Sequence, residues 1–103
     1  MIDLKAIQQA IATGDYQYTS HAVERTTERR ISRIEIEKTI ATGKILEEYP
    51  DDKYGPSCLV YGKTNAGRPL HVLVSSPPSA VKIISAYEPD PDEWEEYQVR
   101  KEQ

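Results

Sequence analysis

The hydrophobic period of this chain changes once, at Gly43-Lys44, and that change sets what it can fold into. Before it, apolar residues recur at helical spacing: Leu4, Ile7 and Ile11, then Ile36 and Ile40. After it the spacing falls to two, with Leu70, Val72 and Val74 alternating against His71, Leu73 and Ser75. Asp3 and Gly14 bracket a first helix, and Tyr16–Thr19 reads as an extended connector. Ser20 is a suitable N-cap for a second helix. Ser32 with Glu35 makes a capping box, and Ile31 with Ile36 a hydrophobic staple, for a third helix that runs to Thr42. Strands follow over 44–49, 57–64, 68–76 and 81–87, separated by Pro- and Gly-containing turns, with a hairpin at Asn65-Ala66-Gly67. Pro89-Asp90-Pro91-Asp92 then leads into a short acidic helix over 93–100 anchored by Trp94. The expected class is α+β: N-terminal helices on one face of a four-stranded antiparallel sheet, plus the short C-terminal helix. The opposite sheet face is left as a site floor.

A chain of 103 residues is read as one domain over 1–103 with one modest core. Its mean hydropathy of -0.65 suits a polar-surfaced protein, and no apolar run approaches the ~20 residues of a membrane span. Met1-Ile2-Asp3-Leu4-Lys5 lacks the basic and apolar regions of a signal peptide, so the cytoplasm is the expected address. The lone Cys58, beside Leu59 and Val60, reads as an inert strand residue. Two His and one Cys, widely separated, have no zinc-ligand spacing, and the five Gly form no phosphate loop. No metal or cofactor is expected.

Net charge is -4, which argues against nucleic-acid binding by bulk charge. The distribution is uneven, however. Residues 1–46 hold 7 Lys/Arg and 6 Asp/Glu, and residues 47–103 hold 6 and 11. The basic residues concentrate around Ser20–Ser32, S-H-A-V-E-R-T-T-E-R-R-I-S, a helix with little to bury beyond Ala22, Val23 and threonine methyls. His21, Arg25 and Glu28 share one of its faces, with Arg29 at the edge. Such a helix is either solvated or lines a polar site.

The Ser20–Ser32 stretch resembles the opening signature of a bacterial family catalogued as a domain of unknown function. Gly67–Val72, Lys82–Pro89 and Trp94 resemble its later blocks, so the likeness runs from about Tyr18 to Trp94. That family is grouped with RelE/ParE and BrnT-like toxins of toxin–antitoxin pairs. The resemblance implies a RelE/ParE-like fold, RNA as substrate, free or on the ribosome, and a small antitoxin as partner. A homo-oligomer is expected as well, through short open edge strands.

Metal-independent RNA cleavage needs a base for the 2′-OH, an acid for the leaving 5′-oxygen and cations on the phosphate. His is suited to both proton transfers, and the two His of this chain, His21 and His71, both lie in the matched blocks. The candidate catalytic set is His21, His71 and Glu28, with Arg25, Arg29, Arg68 and Tyr87 binding phosphate or RNA. The same residues also suit plainer jobs: a helix-end His, a satisfied strand His, an Arg25–Glu28 ion pair. On that alternative the chain is a non-catalytic interaction module of the same fold, with Tyr54, Tyr61 and the acidic stretch 88–96 as its surface.

Overall fold

In the computed structural model, which describes residues 2–101, the helices come first, as the early periodicity requires. They are α1 (Leu4–Ala12), α2 (Ser20–Glu28) and α3 (Arg33–Thr42). Asp3 caps α1 by accepting the amides of Lys5 and Ala6. Gly14, at φ +76°, ends it: Asp15 N–H donates to the Ala10 carbonyl and Gly14 N–H to that of Ile11. α2 ends in the same bonding pattern, Ile31 N–H to Thr26 and Arg30 N–H to Thr27. There Arg30 takes the left-handed position at φ 54° without being glycine. The Ser32–Glu35 capping box opens α3, and both Ile31 and Ile36 are buried. One expected cap shifts by a residue. Thr19, not Ser20, caps α2, its hydroxyl accepting the Ala22 amide at 3.0 Å while Ser20 is already helical.

The strands are β1 (Gln17–Tyr18), β2 (Lys44–Tyr49), β3 (Ser57–Lys63), β4 (Pro69–Ser75), β5 (Lys82–Tyr87), β6 (Trp94–Glu95) and β7 (Val99–Arg100). The expected four-stranded antiparallel sheet is corrected to a five-stranded mixed one, ordered β1-β5-β4-β3-β2. The expected connector at 16–19 supplies the added strand, parallel to β5. Gln17 and Thr19 donate to the carbonyls of Val81 and Ile83, which β5 would otherwise leave open at its edge. Beyond β1 the same edge is covered by α2, where Thr19 Oγ1 donates to the Ile84 carbonyl.

The expected C-terminal helix is also corrected. Among the described residues, 94–100 form a two-stranded antiparallel hairpin, β6–β7. A helix there would have had Trp94 and Val99 against a run of carboxylates, with little apolar face. The hairpin instead buries Trp94 and brings Arg100 back over its ring, 4.6 Å from the centroid.

The helices pack on one sheet face. Leu70, Val72 and Val74 of β4 join Val60 and Ile83 against Ile7, Ile36 and Ile40, all fully buried. Where α3 meets β3 the backbones nearly touch. A Cβ on Gly62 would lie 2.6 Å from the Thr39 carbonyl oxygen, so only glycine fits. The other sheet face carries Tyr61, His71 and Tyr87 side by side on β3, β4 and β5, in direct register.

Candidate functional site

α2 sends Ala22 and Thr26 into the core and leaves His21, Arg25 and Glu28 outside. Arg25 pairs with Glu28 at 3.1 Å, their side chains 42% and 55% exposed. Such a pair contributes little to stability and leaves guanidinium edges open to a ligand. His21 is exposed at the start of α2, and among the described residues it has no hydrogen-bond partner. Eight residues on, about 12 Å along the helix, Arg29 ends α2. Its guanidinium turns onto the sheet and donates to the Ala86 carbonyl at 2.8 Å.

Arg68, just ahead of β4, is tied down. Its Nη1 donates to the Arg30 carbonyl at 2.9 Å and to Glu35 at 3.2 Å. Its Nη2 donates to the Arg29 carbonyl at 3.0 Å and bridges Glu88 at 2.9 Å. With both terminal nitrogens engaged, Arg68 clips the α2–α3 corner to the end of β5 and fixes where Arg29 stands. The Ser32 amide, the cation of Arg68 and their hydrogen bonds hold Glu35 below its ordinary carboxylate range.

His71 lies on the sheet's other face, fully buried. Its Nε2 sits 2.5 Å from the Tyr97 carbonyl, which can only accept, so Nε2 carries the proton. Nδ1 is then bare and accepts from the Tyr87 hydroxyl at 3.2 Å. Trp94 stacks edge-on at 4.5 Å, and Tyr61 and Tyr87 flank the ring at 5.9 and 5.3 Å. Burial lowers the His71 pKa, against the opposing pull of the Tyr97 carbonyl and of Glu47. Burial likewise raises that of Tyr87, which keeps its proton at neutral pH. Arg100 forks onto Glu47 at 2.7 and 3.1 Å, and Tyr49 also donates to Glu47. That fork holds Glu47 low.

Arg29 and Arg68 thus reach the end of β5, at the Ala86 carbonyl and at Glu88, while Tyr87 and His71 pair on the sheet's other face. Arg25 and Glu28 pair with each other on the outer side of α2. His21 is at the far end of the helix and shares no contact with His71. Of the groups around His71, Tyr87 is in the candidate set; Trp94, the Tyr97 carbonyl and Tyr61, the last expected only as interaction surface, are not. Tyr61 had a readable signal, since it and His71 are equidistant from Ala66 in the hairpin turn and so must pair. The Glu47–Arg100 fork spans 53 residues and had no local signal. Among the described residues no three His, Cys, Asp or Glu converge as a metal site, and no helix is long and apolar enough to cross a membrane.

No curated protein and no solved structure matches the chain significantly. One family profile does, over residues 18–88, most of the chain. The matched stretch begins at Tyr18, the second residue of β1, takes in α2, α3 and β2 to β5, and ends at Glu88, before the β6–β7 hairpin. By that match the chain belongs to the DUF4258 family, a domain of unknown function.

Proposed function

We propose that this protein is a toxin-like endoribonuclease that works without a metal, acting where β5 ends. The contact between Tyr87 and His71 Nδ1 carries the reading: a phenol on a neutral, bare imidazole nitrogen, with Arg29 anchored one residue away. Arg29 would hold the phosphate while charge builds. The Tyr87 oxygen would take the 2′-OH proton as its own proton passes to His71, giving an imidazolium. The 2′-oxygen then displaces the 5′-oxygen, which takes a proton from water, leaving a 2′,3′-cyclic phosphate. Arg68 would act as a positioning residue. Arg25 and His21, along the exposed face of α2, would contact flanking phosphates, with Glu28 orienting Arg25. With a net charge of -4, affinity for free RNA would be weak, which favours substrate presented by the ribosome. A small antitoxin with a basic segment suits the acidic half of the chain. The test is purified protein incubated with free and ribosome-bound RNA in a chelator. New ends bearing 2′,3′-cyclic phosphate support the reading, and intact RNA in both forms defeats it.

A second reading, a non-catalytic interaction module, is favoured by one observation: both His71 nitrogens are satisfied and its ring is covered. A buried His so placed is also what a purely structural sheet face would carry. RNA binding or antitoxin capture without new RNA ends is what this reading expects.

A further inference from the structure

Tyr61, His71 and Tyr87 set three flat rings in cross-strand register on one sheet face. A row of rings on a sheet is a surface on which unpaired bases stack. It is occupied by the chain's own Trp94, whose indole, close to a nucleobase in size, meets the His71 ring edge to face, 4.5 Å between centroids. We propose that this face is a base-stacking site for single-stranded RNA, and that residues 94–100 fill it in the free protein and are displaced by the ligand.

The hairpin is built to come away. Among the described residues its backbone bonds are internal, from Glu93, Trp94, Gln98 and Lys101 to Asp90, Glu95 and Glu93. Its attachments to the sheet are the Trp94 ring, the His71–Tyr97 hydrogen bond and the Arg100–Glu47 fork. A two-stranded hairpin by itself is marginal in water. Its turn also places Glu96 and Tyr97 at φ 50° and 64°, a left-handed conformation that costs non-glycine residues roughly 1–2 kcal/mol each. The strained residue Tyr97 is the one whose carbonyl meets His71. The Arg100–Glu47 fork resists opening, because it leaves a carboxylate beside the incoming phosphates when it breaks.

This site rests on RNA being the ligand of the proposed function, but its test does not require cleavage. A short 2′-O-methyl RNA oligonucleotide lacks the attacking hydroxyl and reports binding alone. Trp94 is the only tryptophan, so its fluorescence reads the hairpin directly. On titration with the oligonucleotide its emission should shift to the red as the indole leaves His71. Glu47→Gln, which removes both the latch and the repulsion, should bind about five-fold tighter, because a larger share of molecules is open. Tyr61→Ala should bind roughly 5- to 100-fold more weakly, the loss of one stacked base. No binding by wild type and Glu47→Gln, binding that leaves Trp94 emission unmoved, or an unaffected Tyr61→Ala would each overturn the proposal. Cleavage of ordinary RNA with any of those results leaves the nuclease reading standing without this site. The expected results with no cleavage leave the site standing without the nuclease.

Discussion

His71 and Tyr87 face each other across β4 and β5, with Nδ1 3.2 Å from the phenol oxygen, and the bond runs in one direction. The Tyr97 carbonyl fixes the proton on Nε2, so the phenol must donate. Burial keeps the ring neutral, and a neutral ring with a bare nitrogen is what a proton acceptor requires.

That pairing makes stability depend on pH in a defined window. Above about pH 6.5 His71 is neutral in both folded and unfolded chains. Below it the unfolded chain protonates first, because burial has lowered the folded value, so stability declines until the folded ring protonates too. This decline begins at a higher pH than the loss of the stabilising charge of Glu35 and Glu47, which begins near the ordinary value of 4.5. Melting temperature should fall as pH drops from about 6.5, and His71→Gln should flatten that slope. In NMR the His71 ring should titrate below about 6.5. A midpoint at or above that value contradicts the buried, neutral ring.

Arg68→Ala should lower stability by about 1–2 kcal/mol in urea unfolding, since charge-assisted bonds to two carbonyls and two carboxylates are lost. Arg68→Lys should recover only part of this, because one ammonium cannot span the four partners. A double-mutant cycle with Glu35→Gln should show coupling, since the two side chains touch. Additive losses would mean that the clip is incidental.

Gly62→Ala should cost about 1–3 kcal/mol by overpacking, because the new methyl lands 2.6 Å from the Thr39 carbonyl oxygen and 3.1 Å from its Cγ2. Thermal unfolding measures it. A neutral effect would show that α3 can shift away from β3.

Local chemistry made much of the fold legible. The Asp3 cap, the Gly14 stop, the Ser32–Glu35 box and the turn before Gly67 each act within a few residues, and each is present in the structure. The misread parts depend on distant partners. Gln17–Tyr18 is too short to show a period, and a parallel pair has no connecting turn to announce it. Residues 93–100 carry helix-compatible side chains and no Asn or Gly at the turn. The pull of Trp94 onto His71 and of Arg100 onto Glu47 overrides that propensity. The same reason hid the site's arrangement. Helical spacing placed His21, Arg25 and Glu28 on one exposed face, but nothing in the spacing told which side of the sheet His71 would be covered from, or by what.

The central claim is that proton transfer belongs to His71 and Tyr87, and its most direct test is cleavage by three variants in the chelated RNA assay. His71→Gln can still donate to the Tyr97 carbonyl but cannot take a proton, and Tyr87→Phe removes the hydroxyl. Circular dichroism should show both folded. Each should lose roughly 10²–10⁴ in rate, while His21→Ala, about 12 Å along α2 from Arg29, should lose less than about ten-fold. If His71→Gln and Tyr87→Phe cut RNA at the wild-type rate, or only His21→Ala is inactive, the chemistry lies elsewhere.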